Sequence, residues 1–364
     1  MALGILSVSV AAQTLPTLTP RQLAVNQLVN ASRILAYYSI ADDGPGHISV
    51  RDPSSPGDTF LITGGDSAPG QVRPADIAVV RINDSVVVGA ALGGFAAPTR
   101  PAEVFIHSSI YQRFPNTTVN SIAYYRPEQL IPYSIYPAYV ANATSGEASN
   151  NASSFLPTTQ SVAFLGPHAA PIFNLFDSEP NATTAAVDNA VKGFALSVKF
   201  GPQGTSVSTI QDANGFRPLV LMRNDGATTA GLTVPEVVFR LMQAVKNARI
   251  LSNSLATALI GGTTISSSSS AQIQFLPSTA TQTSDNYLRS WLVWMSSIEA
   301  GINEDQTRNP AAWAGASGGS SSSSDPDSSS SGAASTFVSR LDLVQRVTHL
   351  TASVMVSACM LVAM

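Results

Sequence analysis

The stretch NSIAYYRPEQLIPYSIY, residues 120–136, sets Tyr124, Tyr125 and Arg126 where an apolar strand runs into what reads as a second strand. A guanidinium at the inner end of such a strand must be solvated or paired, because an unpaired buried charge is costly. Arginine presents a planar two-pronged donor set, so the chemistry it offers is recognition of a carboxylate. Residues for other chemistry are few. The chain has a single cysteine, Cys359, and four histidines, His47, His107, His168 and His349. Neither a disulfide framework nor a Cys-rich zinc site can be built from these, and a metal site would rest on histidine and carboxylate. No nucleophile elbow, Walker loop or dinucleotide fingerprint is present.

The elements that must hold such residues alternate along the chain. Residues 19–40 carry apolar positions at helical spacing behind Thr19 and Pro20, which predicts a capped helix. GPGHISVRDP and TFLITGG read as strands, and residues 73–89 as a hairpin turning at Asn83 and Asp84. Residues 99–115 read as a helix with Glu103 in its first turn, where the helix dipole favours a negative charge. AAVDNAVKGFALSVKFG reads as a helix, RPLVLMRND as a strand ending in charges, and the stretch from Thr233 as a long amphipathic helix. Trp291 and Trp294 lie three apart on one face of a further helix and are expected to cover the core. Interleaved strands and helices with hairpins predict an α/β fold, a layered αβα sandwich around a mixed, largely antiparallel sheet.

Of 364 residues, 44% are hydrophobic and 12% charged, which suffices for a proper core. A net charge of -4 without a Lys/Arg stripe sets nucleic acid aside as a partner. The two ends suggest export. Residues 1–18 read as a signal peptide and leader, 314–335 as a Ser/Gly-rich disordered stalk, and 336–364 as a GPI-attachment signal, with a retained hydrophobic tail as the alternative. Between them lie a domain at 19–260 and an extension with a helix at 261–313. Sequons at Asn30, Asn83, Asn116, Asn142, Asn151 and Asn181 add N-glycans to an expected secreted, membrane-anchored surface protein.

The ordered set GHISVRDP, FLITGGDSAPGQVRPADIAVV, EVFIHSSIYQRFP, SIAYYRPEQLIPYSI, FLGPHAAPIF, LVLMRNDGATTAG and VPEVVFRLMQAVKNARI resembles the class II aldolase/adducin family over residues 20–255. The resemblance implies a zinc ion held by three histidines, a glutamate acid/base, and a homo-oligomer with the site near a subunit boundary. The metal would polarise substrate oxygens while the carboxylate moves the proton. Glu103 matches the family's acid/base position. Tyr124, Arg126 and Asp225 fall where the three metal-binding histidines belong, so zinc is not expected as a cofactor. Arg126 paired with Asp225 would balance the charges there without an ion, and a metal set of His47, His107 and Asp225 is the lesser alternative. Gly46, Ser49, Gly64, Gly65 and Ser67 match loops that hold a substrate phosphate in relatives, and would leave room for a small polar ligand. The resulting expectation is a metal-free, non-catalytic domain with a binding or structural role. The alternative is an aldehyde-lyase, epimerase or dehydratase acting on a sugar or hydroxy acid, with Glu103 as acid/base.

Overall fold

Helix α1 (Pro20–Tyr37) starts where its capping residues dictate. Thr19 accepts a hydrogen bond from the Gln22 amide, the Gln22 side chain accepts one from the Thr19 amide, and Pro20 opens the first turn. This computed structural model describes residues 18–41, 46–135, 155–166, 169–204, 215–260 and 285–315. The expected leader before residue 18, the sequons at Asn142 and Asn151, the stalk beyond Gly315 and the terminal tail lie outside them. No helix among the described residues is long and apolar enough to cross a membrane.

Eight described strands form one sheet: β1 (His47–Arg51), β2 (Thr59–Thr63), β3 (Ile77–Arg81), β4 (Val87–Ala90), β5 (Ser121–Tyr125), β6 (Ile172–Phe173), β7 (Leu219–Met222) and β8 (Gly226–Gly231). Their order is β4-β3-β2-β1-β5-β8-β7-β6, antiparallel throughout except between β6 and β7. The hairpin expected around Asn83 and Asp84 joins β3 to β4, with Ser85 at φ 60 and the Asp84 carboxylate accepting from the Val86 amide.

The alternation of side chains across the sheet builds two apolar layers. Ile48 and Val50 of β1 and Ala123 and Tyr125 of β5 pack toward α1, α6 (Val234–Ile260) and α7 (Asp285–Arg308). Ile122 and Tyr124 of β5 face the other way, toward α2 (Phe105–Arg113) and α5 (Ala190–Val198). The αβα sandwich is therefore the observed architecture. Trp291, Trp294, Ile298 and Ile302 are buried in the α1/α6 layer, so α7 completes the same core rather than standing apart as an appendage.

Three local expectations fail for identifiable reasons. Residues 131–135, read as a second strand, form the short helix α3 (Ile131–Ile135), entered through a turn of 3-10 helix at Glu128–Leu130. Five residues with Ile and Tyr are too few to separate the two periods. Glu103 does not sit in the first turn of α2 but in the turn leading into it. β8 went unread because GATTAG lacks the bulky side chains that mark a strand. The remaining pieces are 3-10 segments at Pro69–Gln71, Pro74–Asp76, Gln160–Leu165 and Pro310–Trp313, and α4 (Leu175–Ser178).

Candidate active site

Four side chains converge in the middle of the sheet, where β5 ends and β8 begins, on the α2/α5 side. Glu103 comes from the turn before α2, Tyr124 from the end of β5, Arg126 from the residue after that strand, and Asp225 from the turn joining β7 to β8. That turn is tight: the Asp225 amide donates to Met222, and Asn224 takes φ 58, a left-handed conformation that asparagine tolerates. The Asn224 amide also donates to Ser134 Oγ on α3, which braces the turn from below. The residues expected to mark the degenerate metal site are thus brought together.

Arg126 is the hub. Its Nε donates to Tyr124 Oη at 2.7 Å and lies 2.6 Å from Asp225 Oδ1, and its Nη2 reaches both Glu103 oxygens at 3.3 Å. Tyr124 Oη donates to Asp225 Oδ2 at 2.9 Å and lies 3.3 Å from Glu103 Oε1. The carboxylates are almost wholly buried, 5% exposed each, while Arg126 keeps 31% of its side chain in the open. The cluster therefore presents a cation outward and stores its two acids behind it.

Burial pushes the Glu103 carboxyl above the ordinary carboxylate range, and the negative charge of Asp225 adds to the push. Arg126, the Tyr124 hydroxyl and the Val187 amide oppose it without cancelling it. Asp225 is also raised by burial, against the pull of Arg126 and Tyr124. The Tyr124 hydroxyl is raised well above its usual value, by burial first and then by the two acids, so it remains a neutral donor. The second carboxyl makes Glu103 harder to ionise, the direction an acid catalyst needs.

The donor set does not fit a zinc ion. Arg126 carries no lone pair and fills the centre, and both carboxylates are already spent on it. Among the described residues, no group of three or more His, Cys, Asp or Glu is placed to hold a metal. The alternative set of His47, His107 and Asp225 fails on the same ground: His47 Nδ1 and His107 Nε2 hydrogen-bond each other at 2.7 Å.

The expected phosphate loops are corrected in part. Ser49 is fully buried inside β1, with its Oγ 2.6 Å from His107 Nδ1 and 2.7 Å from Tyr111 Oη, so it does not face a ligand. The amides of Gly64 and Gly65 donate to the Asp76 and Thr99 carbonyls and are not free to cradle an anion. Gly46 is a packing residue, since a Cβ there would overlap the Tyr125 ring. Ser67 is half-buried beside them. Of the sequons within the described residues, Asn83, Asn116 and Asn181 are exposed and Asn30 is half-buried on α1. The His47–His107 contact was the residue pairing that sequence reasoning missed as a hydrogen-bonded unit. Their separation of 60 positions left no local signal for it.

The sheet order and its two helical layers define an aldolase-like α/β domain. The chain belongs to the class II aldolase and adducin N-terminal domain family, which it matches over residues 26–252. It is similar to the decarboxylase tropJ of Talaromyces stipitatus, 29% identical across 78% of this chain and 96% of that protein. Among solved structures, an aldolase II superfamily protein from Pseudomonas syringae superposes with a TM-score of 0.52 at 18% identity, covering 78% of this chain and 95% of its own. L-fuculose 1-phosphate aldolase from Glaciozyma antarctica PI12 gives 0.52 at 16% identity, over 79% and 95% of the two chains. At those identities the two structures establish the fold alone.

Proposed function

We propose that the protein is a carbon–carbon lyase, a decarboxylase in the first instance, acting on a carboxylic acid whose carbonyl can accept the electron pair of the broken bond. One observation carries this reading: a part-exposed guanidinium backed by two buried carboxyls. Similarity to a decarboxylase along nearly the whole of that protein supports lyase chemistry over the non-catalytic role expected from the missing histidines.

In this scheme Arg126 holds the substrate oxygen on which negative charge develops, where a preorganised cation in a partly dry site is worth most. The bond to the carboxylate carbon breaks, carbon dioxide leaves, and the electron pair moves through the carbonyl to give an enolate. Glu103, protonated, then gives its proton to the carbanion carbon and is reprotonated from solvent. Tyr124 and Asp225 hold Arg126 in place. An aldol cleavage would instead start from the Glu103 carboxylate, which takes the proton of the substrate hydroxyl as the aldehyde leaves and returns it to the carbanion carbon.

The test is release of carbon dioxide or aldehyde from a panel of 3-oxo and 3-hydroxy carboxylic acids by the purified full chain. Turnover that disappears in both Glu103→Gln and Arg126→Leu is expected. A wild-type protein that turns over none of these acids, and binds them no better than Arg126→Leu does, overturns the reading.

A further inference from the structure

A second set of buried polar groups lies beside the ion cluster and plays no part in that scheme. His47 and Ser49 share one face of β1, and His107 and Tyr111 are one turn apart on α2, opposite them. They form an unbroken series: His47 Nδ1 to His107 Nε2 at 2.7 Å, His107 Nδ1 to Ser49 Oγ at 2.6 Å, and Ser49 Oγ to Tyr111 Oη at 2.7 Å. All four residues are buried. The series ends at His47 Nε2, which is buried and has no hydrogen-bond partner among the described residues. His47 is the cross-strand partner of Tyr124, and the two rings lie 5.0 Å apart, so the open nitrogen belongs to the ring packed on the residue that carries Arg126, Glu103 and Asp225.

A buried polar atom left unpaired is costly, and native structures hold few of them. We infer that His47 Nε2 is the ligand-facing end of a proton relay, His47–His107–Ser49–Tyr111, that serves the Arg126 site. The inference rests on the reading of that site as a lyase centre, and adds to it a second proton-handling group.

The geometry restricts the relay to two states. Burial, with the charge of Arg126 second, holds His47 at about 3, and burial followed by His47 holds His107 well below the ordinary imidazole value, so both rings are neutral near neutral pH. Each then carries one N–H, and the bond between them forces the same tautomer on both. In one state Tyr111 donates to Ser49, Ser49 to His107 Nδ1, and His107 Nε2 to His47 Nδ1, leaving an N–H on His47 Nε2. In the other, His47 Nδ1 donates to His107 Nε2, His107 Nδ1 donates to Ser49, Ser49 donates to Tyr111, and His47 Nε2 is bare. Passage from the first to the second delivers one proton from Nε2 to a bound ligand. One proton then arrives at the Tyr111 oxygen from solvent, so every member stays neutral at both ends of the step.

The experiment is nitrogen-15 NMR of the full chain labelled at histidine, with and without oxalate, a planar dianion the size of a two-carbon enolate. Matched tautomers for His47 and His107 are expected in the free protein. Oxalate is expected to move both rings to the Nε2–H form, with His47 Nε2 changing its shift. Opposite tautomers, an imidazolium at either ring near neutral pH, or bound oxalate that leaves His47 Nε2 unmoved each overturn the relay. His47→Phe is expected to weaken oxalate about tenfold, the loss of one hydrogen bond to a charged group. Tyr111→Phe removes the far acceptor of the series, so Ser49 is left to donate to His107 Nδ1 and both rings are expected to shift toward the Nε2–H form in the free protein. Failure of oxalate to bind the wild-type protein at all overturns Arg126 as an anion site, and opposite tautomers or an imidazolium in that free protein overturn the relay separately.

Discussion

Arg126 Nε stands 2.6 Å from Asp225 Oδ1, a contact between the end of β5 and the turn before β8 that stands where the resemblance would have put two metal ligands. Either partner alone leaves a charge near buried apolar surface, so the pair should be coupled. Arg126→Leu or Asp225→Leu alone is expected to cost about 1–3 kcal/mol, at the low end for buried pairs because the guanidinium is partly solvated. The double variant should cost less than the sum by about 1 kcal/mol. Denaturant unfolding of the four proteins measures this, and strict additivity would show that the contact carries no energy.

Gly226 fixes how closely the two strands approach at the same point. A Cβ there would run into the Tyr125 carbonyl, with Arg126 Cα at 2.9 Å and Arg126 Cγ at 3.1 Å. These are mainly backbone atoms and cannot turn aside. Gly226→Ala is therefore expected to destabilise the fold by about 1–3 kcal/mol through overpacking, and to move Arg126 away from Asp225. Unfolding midpoints together with loss of oxalate binding would register both effects, and a fully stable, ligand-competent variant would contradict the packing argument.

How much of this was legible in the sequence differs from residue to residue. Arg126 announced a pairing problem by its position after an apolar strand, and Asp225 by its place at the charged end of another. Nothing in the order of residues could say that Ser49 turns inward, because strand alternation fixes two faces but not which one meets α2. The Gly64 and Gly65 amides looked available for an anion until the carbonyls of Asp76 and Thr99 were seen to occupy them. β8 is a strand because both its neighbours are, not because Gly-Ala-Thr-Thr-Ala-Gly prefers to be one; tertiary pairing overrode local preference there.

The raised Glu103 carboxyl gives a pH signature of definite sign. A folded-state value above the unfolded one means the native protein holds a proton that the unfolded chain has released. The stability this group contributes is present below its ordinary value of 4.5 and is lost as pH rises through the folded value. Glu103→Gln should thus gain stability relative to wild type as pH rises, and turnover should fall on the alkaline side as the acid form is lost. Unfolding curves for both proteins across that range, compared with the kcat profile, check the two limbs.

His47 and His107 act in the opposite direction. Their folded values lie below the ordinary 6.5, so their contribution is present above it and is lost as pH falls toward the folded values. The slope is at most about 1.4 kcal/mol per pH unit for each imidazole. Wild-type stability should decline between pH 6.5 and pH 4.5, and a His47→Gln, His107→Gln double variant should flatten that decline. A slope identical in the two proteins would mean the rings are accessible to protons in the fold.

Asp305 holds α7 to the rest of the domain. Its carboxylate pairs with Arg33 of α1, accepts from Arg73 Nε and Nη2 at about 3.0 Å, and takes further hydrogen bonds from Asn309 at 2.7 Å and Trp313 Nε1 at 3.3 Å. Although burial works against the charge, the hydrogen bonds from Arg73 and Arg33 dominate and hold the group far below the usual carboxylate range. With Arg33 only 9% exposed, Asp305→Asn leaves a guanidinium poorly compensated in the α1/α7 seam, at a cost of about 2–4 kcal/mol. For a depressed carboxylate the stability is present above the unfolded value and lost as pH falls toward the folded one. The gap in unfolding midpoint between wild type and Asp305→Asn should therefore be wide at neutral pH and shrink in acid, and a gap that stays constant would assign the loss to packing rather than charge.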